Sequence, residues 1–328
     1  MITHALEYTL RALGSRINGR TSRSDPVVFQ FDLTNVSTFN FTLQTESGLP
    51  VLVDWGDGNT STYAGAADQT ATKTYATSGN YTVKVYAKDG GVLTRFRANA
   101  AGMSGTLSLP SGMTYFRCER PNTLSGTLSL PSSMTNFNCQ GSNTLSGTLS
   151  LPSGMTDFIC TGSNTLSGTL SLPSEMTNFS CQGSNTLSGT LNLPSGIAYF
   201  NCAGSNTLSG TLSLPSKITH FNCLGSNTLS GTLNLPSGMT VFICTGSNTL
   251  SGYTPSAKAS NQVIFSLTGQ NTLSATDVDN ILIDYNAAGG TWKGAKEITI
   301  QGNAANRTSA SNAAYASLAT KLTTLDVD

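Results

Sequence analysis

Met134-Thr-Asn-Phe137-Asn-Cys139-Gln-Gly-Ser-Asn143-Thr-Leu145-Ser-Gly-Thr-Leu149-Ser-Leu151-Pro-Ser is a phrase that begins again at Met155, 21 residues on. All seven cysteines (Cys118, Cys139, Cys160, Cys181, Cys202, Cys223 and Cys244) fall on that period, as do the asparagines from Asn122 to Asn248. A fixed period of about 20 to 50 residues marks a stacked architecture, in which one unit cannot bury its apolar face alone and its neighbours complete the core. The stretch from Met113 to Gly252 therefore predicts a solenoid.

Two short segments of each coil alternate apolar and polar residues: Phe137-x-Cys139, and Leu149-x-Leu151, which Pro152 stops. Met134, Phe137, Cys139, Leu145, Leu149 and Leu151 are expected to point inward. Asn143 and its equivalents stand where the coil turns, and their stacked amides can bridge the backbone of one coil to the next. The stretch Met134-x-x-Phe137-x-Cys139-x-x-x-Asn143-x-Leu145-Ser-Gly is similar to the leucine-rich-repeat family, in particular its Asn-x-Leu-Ser-Gly variants, where a second strand follows the asparagine. One residue more than the usual pattern separates strand from asparagine, which keeps a plain parallel β-solenoid as the alternative fold.

Seven cysteines in one column make a poor disulfide framework, because parallel strands about 4.8 Å apart point them the same way. They are expected to pack as small apolar groups. A zinc site would need a Cys-x-x-Cys pair or histidines, and only His4 and His220 are present. No metal and no cofactor is expected.

Outward from the repeat, Leu93-Thr-Arg-Phe96-Arg-Ala98 imitates Met113-Thr-Tyr-Phe116-Arg-Cys118, so the first coil is a degenerate, capping one. Before it, Val27-Val-Phe29-Gln-Phe31-Asp-Leu33, Phe39-Asn-Phe41-Thr-Leu43, Val51-Leu-Val53-Asp-Trp55 and Tyr81-Thr-Val83-Lys-Val85-Tyr alternate with period two, which predicts a small antiparallel sandwich of short strands. Val53-Asp-Trp-Gly-Asp-Gly58 followed by Tyr75-Ala-Thr-Ser-Gly79-Asn-Tyr81-Thr-Val83 resembles the polycystic-kidney-disease-type (PKD) immunoglobulin-like domain, over roughly residues 27–90. That resemblance implies a spacer or adhesive module. Asp54, Asp57 and Asn59 could be imagined as calcium ligands, but acidic-glycine turns are common hairpin chemistry and the spacing is not that of an EF-hand.

At the start, Ile2, Leu6, Leu10 and Leu13 share one helical face, and Gly14 to Ser24 reads as a linker closed by Pro26. The helix could fold back on its own domain or dock into a partner, and residues 1–26 are expected to be an attachment arm. After Gly252, Val263-Ile-Phe265-Ser-Leu267 replaces the Phe-x-Cys strand. A helix carrying Val278, Ile281, Leu282 and Tyr285 and ending at Gly289-Gly290 comes next. The strand Glu297–Ile300, a helix with Tyr315, Leu318, Ala319 and Leu322, and Leu325–Val327 close the chain. The expected architecture is thus mostly β: a sandwich over 27–91, a leucine-rich-repeat-like solenoid of 21-residue coils over 92–270, and strand-helix coils capping it over 271–328.

Seventeen basic and seventeen acidic residues cancel, leaving no basic field for nucleic acid. No run of eighteen apolar residues occurs, which argues against membrane insertion, and the first twenty residues lack the apolar stretch of a secretory signal.

Three outward columns of the Phe-x-Cys strand vary on this constant frame. The first reads Tyr115, Asn136, Asp157, Asn178, Tyr199, His220, Val241; the second Arg117, Asn138, Ile159, Ser180, Asn201, Asn222, Ile243; the third Glu119, Gln140, Thr161, Gln182, Ala203, Leu224, Thr245. By strand alternation they share one face, as a recognition surface requires. Drift at unconstrained positions is the bland reading. Against it, Thr148 and Ser150 are expected to be exposed as well, yet their columns hardly vary. The candidate ligand-binding residues are those from Tyr115 to Asn222 in these columns, Ala203 excepted, with a host-surface glycan or protein as partner.

Catalysis is not expected: no histidine stands in a Ser or Cys arrangement, and no glycine-rich phosphate loop opens a helix. Similar combinations of PKD-type and repeat domains occur in bacteriophage tail fibres and appendages, which reach the exterior by assembly. The resemblance implies a virion tail protein whose residues 1–26 meet other tail proteins, with a homo-oligomer open. The alternatives are a bacterial cell-surface adhesin, extracellular, and a purely structural spacer.

Overall fold

The computed structural model describes residues 25–46, 49–98, 100–119, 121–256, 264–288, 297–302 and 305–327. The helix expected over 2–14 and the linker up to Ser24, Val263, and Gly289-Gly290 lie outside them.

The sandwich is built from β1 (Val27–Thr45), β2 (Val51–Asp54), β3 (Thr60–Tyr63) and β4 (Gln69–Ala87). β1 and β4 run antiparallel for almost their whole length, from Val27 beside Tyr86 to Leu43 beside Gln69. The two strands expected at Val27–Leu33 and Phe39–Leu43 are therefore one. The chain bends between them without leaving the sheet: the register shifts around Val36, and Asn35 takes φ 52°, a left-handed conformation that asparagine tolerates. Its N–H donates to Asn80 Oδ1 at 2.8 Å. The bend folds β1 and β4 into two layers around Phe29, Phe31, Phe39, Phe41 and Trp55, with Phe41 and Trp55 centroids 5.6 Å apart.

In the Asp-Gly turn, Asp54 Oδ1 accepts from Gly56 N–H at 3.0 Å, while Asp57 accepts from both nitrogens of Asn59 and pairs with Lys73 at 2.5 Å. These are turn bonds, as the acidic-glycine reading predicts.

β1 also joins the sandwich to the solenoid. Its second half pairs with β5 (Leu93–Ala98), and Asp32 and Leu33 pair with β6 (Met103–Thr106). β5 and β6 are the first strands of the two parallel sheets that line the coils. The first sheet passes from β5 through Tyr115–Cys118 and its counterparts to Val241–Gly246, then to Ile264–Thr268, Glu297–Gln301 and Thr324–Val327. Ala98 lies beside Cys118, so the degenerate first coil is in register.

The second sheet passes from β6 through Thr123–Thr127 and its counterparts to Thr249–Tyr253. Here the structure corrects the sequence reading. The second strand is the Thr-Leu-Ser-Gly-Thr segment, not Leu149-x-Leu151. Leu149 adds one more ladder bond, to Ser167 O at 2.9 Å, and the chain then leaves the sheet towards Pro152, leaving Leu151 half-buried. The other five expected core residues of that coil are buried.

Between the sheets, phenylalanines stack from Phe96 to Phe265 with ring centroids 5.3 to 5.9 Å apart. Burying each is worth roughly 2 to 3 kcal/mol before conformational entropy is counted. The cysteines form the adjoining column, all buried and free. Asparagines stitch the turns. Asn206 Oδ1 accepts from Leu187 N–H of the previous coil at 2.9 Å, and its Nδ2 donates to Cys202 O at 3.1 Å. The same acceptor bond recurs from Asn143 to Asn271.

At the far end helices replace the second-sheet strand. α1 (Ala275–Ala287) starts at a capping box of Ser274 and Asp277 and buries Val278, Ile281, Leu282 and Tyr285, the predicted face. It packs on Thr249–Tyr253, where Tyr253 N–H donates to Asp277 and its hydroxyl to Asp284. α2 (Asn312–Ala319) is shorter than expected: Leu318 is buried, but Leu322 lies beyond its end. Asp279 of α1, 4% exposed, takes hydrogen bonds from Thr308 and from Ser311 Oγ at 2.6 Å, which ties the last coil to the helix before it. No helix among the described residues is long and apolar enough to cross a membrane.

Candidate recognition surface

The parallel register of the first sheet sets the three variable columns side by side on its outer face, opposite the Phe and Cys columns. Tyr115, Asn136, Asp157, Asn178, Tyr199 and His220 are half-buried in the first column, and Val241 is buried. Of the third, Gln140, Thr161 and Gln182 are half-buried, while Glu119 and Leu224 are exposed. The middle column is deeper than an outward position suggests. Arg117, Ile159, Asn222 and Ile243 are half-buried, but Asn138, Ser180 and Asn201 are buried, at 7%, 4% and 6% exposure. Strands about 4.8 Å apart let the two flanking columns close over short side chains between them.

Many of these groups bond to one another. Arg117 pairs with Glu119 at 2.6 Å, and Glu119 accepts from Asn138 Nδ2 at 2.8 Å. Gln140 Nε2 donates to Asn138 Oδ1 at 2.9 Å, and Asn178 Nδ2 to Asp157 at 2.6 Å. The carboxylate and hydroxyl around Arg117 push its pKa up further. Arg95 lies over the Tyr115 ring at 3.8 Å and pairs with Asp68 of the sandwich at 3.3 Å. Arg95 and Arg97 extend the first two columns one coil towards the N-terminus, beside Tyr115 and Arg117. Neither was among the predicted site residues, although Leu93-Thr-Arg-Phe96-Arg-Ala98 carries the strand pattern that places them.

Tyr199 and His220 stack with centroids 4.3 Å apart and planes 11° apart. The stack covers a face of each ring. Burial lowers the His220 pKa, so its imidazole is neutral at pH 7. Burial pushes the thiols of Cys118, Cys160, Cys202 and Cys244 up to about 12. Thiols so placed are neither thiolate nucleophiles nor ready metal ligands.

In-register parallel coils, an asparagine ladder at the turn and an outward sheet face define a leucine-rich-repeat-like solenoid of 21-residue coils. Among solved structures the chain is similar to YopM from Yersinia enterocolitica WA-314, with 17% identity and a TM-score of 0.35 over 72% of this chain and 55% of that chain, so it spans about half of that chain's length. No family model matches it, and no curated protein does.

Proposed function

We propose that the chain is a non-catalytic structural and recognition protein of a bacteriophage tail, in a fibre or baseplate appendage, which binds a host-surface receptor through the outer face of its first sheet. The observation that carries this reading is the set of columns whose side chains change from coil to coil on an almost unchanging frame. A face of that kind can be rewritten without refolding the molecule, because each coil contacts only its neighbours. The PKD-type resemblance of the sandwich supports a spacer that holds the solenoid away from the particle, and residues 1–26 are the proposed attachment to other tail proteins.

Replacing Tyr115, Arg117, Tyr199 and His220 together by Ala tests it. Host-cell binding should fall at least tenfold, with the circular dichroism spectrum unchanged. Undiminished binding by the folded variant sinks the recognition reading. It would favour a spacer, for which the bonds between coils, such as Asn138 to Glu119 and Asn178 to Asp157, already supply a role. A bacterial cell-surface adhesin would use the same face, and tail genes beside this one would decide between phage and bacterium.

A further inference from the structure

The outer face divides into blocks according to what its polar atoms do. From Arg95 to Gln182 the long polar side chains largely satisfy one another. The next strands differ. Asn201 donates from Nδ2 to Tyr199 Oη at 3.3 Å, but its Oδ1 has no partner among the described residues; nor has Asn222 Oδ1 or His220 Nε2. Strand register puts Tyr199 beside His220 and Asn201 beside Asn222, so all three atoms belong to adjoining strands. The other unmatched atoms on these columns are the Nε nitrogens of Arg95 and Arg117, and both guanidiniums face a carboxylate.

Leaving a buried polar atom unmatched is costly, and three together are an invitation to a ligand. The columns from Asn178 to Thr245 hold no acidic or basic side chain, apart from the neutral His220. Beside the amides stand apolar groups: Leu224, 37% exposed, and Ile243. Three strands about 4.8 Å apart and five residues long offer a patch on the order of 200 Å². A stable protein partner needs about 800 Å² on each side, whereas one or two sugar rings fit the smaller patch.

We propose that this block binds a neutral glycan, whose hydroxyls meet Asn201, Asn222 and His220 and whose C–H face rests on Leu224 and Ile243. A hydroxyl both donates and accepts, so it serves an amide head in either orientation. The amides reach it by turning about χ2, a soft torsion. Ring stacking on Tyr199 is not part of the design, since His220 covers that face. The proposal rests on the recognition reading above and assigns it a place and a chemistry.

The test titrates the full chain with maltohexaose, cellohexaose and chitohexaose to roughly 10 mM, following the His220 and Asn side-chain resonances by NMR. At least one sugar should shift them. Asn201→Ala with Asn222→Ala should weaken binding about tenfold, as should Leu224→Lys at its exposed site, while Thr148→Ser on the second sheet leaves it unchanged. No shift with any of the three sugars overturns the proposal, as does equal weakening in the Thr148→Ser variant, or a shift only with a sulfated heparin hexasaccharide. The recognition reading stands apart: should host-cell binding depend on Tyr115 and Arg117 alone, recognition survives and moves to the paired block.

Discussion

The two sheets of each coil are made from the same few residue types and behave as opposites. The first rests on Phe and Cys and varies outside; the second rests on Leu and is nearly constant outside. That constancy has a local cause. Ser188 Oγ donates to Gly168 O of the coil before, at 3.4 Å, and this bond recurs along the solenoid. Gly168 takes φ 101°, and a Cβ there would lie 2.7 Å from the methyl of Thr148. The Thr148 methyl thus packs against Gly168, a structural contact that the first-face columns lack. The constancy of Thr148 is therefore a poor yardstick for drift on the first face, and the recognition reading rests on the variable columns themselves.

The contrast can be broken from beneath. The first sheet stands on thiols held at about 12, whereas an unfolded thiol titrates near 9. Between those values the folded state binds the extra protons, so stability is full below about pH 9 and falls as pH rises towards 12. At pH 10 the loss is roughly 1 kcal/mol per thiol, several kcal/mol over the column. Guanidinium midpoints at pH 8 and pH 10 measure it, and Cys160→Ala with Cys202→Ala should lessen the dependence by the share of two of the seven thiols. An equal dependence in that variant would remove the thiols as its cause.

On the second sheet, Gly168→Ala should cost about 2 kcal/mol, part of it φ strain and part the clash with Thr148. Adding Thr148→Ser takes the methyl away, so the double variant should melt above Gly168→Ala. If it melts no higher, the packing account of the constant face fails. The smallest effect sharpens the contrast directly. Gln182→Ala on the first face should shift stability by less than about 0.5 kcal/mol, and Ser188→Ala on the second should cost about 1 kcal/mol. Equal costs would erase the difference between the faces.

The period, the inward columns and the asparagine turns were all legible, because they repeat and so can be compared within one chain. What escaped depends on partners far away in sequence. Leu149-x-Leu151 alternates as well as any strand, but Pro152 pulls it off the sheet, and only the ladder shows that Thr-Leu-Ser-Gly-Thr holds the hydrogen bonds. The runs Val27–Leu33 and Phe39–Leu43 look like two strands because the alternation breaks between them, where the register shifts around Val36. The role of β1 as the edge of both sheets rests on Leu33 meeting Met103 and Phe41 meeting Ala98, pairings no local pattern announces. The three columns could be read from the repeat. The burial of Asn201 and the orphaned atoms beside it could not, since they follow from the width of the neighbours.

The asparagine ladder, which binds each coil to the adjacent coils and nothing beyond, makes length an editable quantity. Nearly identical 21-residue units misalign readily when their gene recombines, and every such exchange inserts or deletes a whole coil in frame. Neither β1 at one end nor the helices at the other would register the change. The reach of the molecule and the number of side chains it displays can therefore alter in a single generation, well before substitution refines what any coil presents.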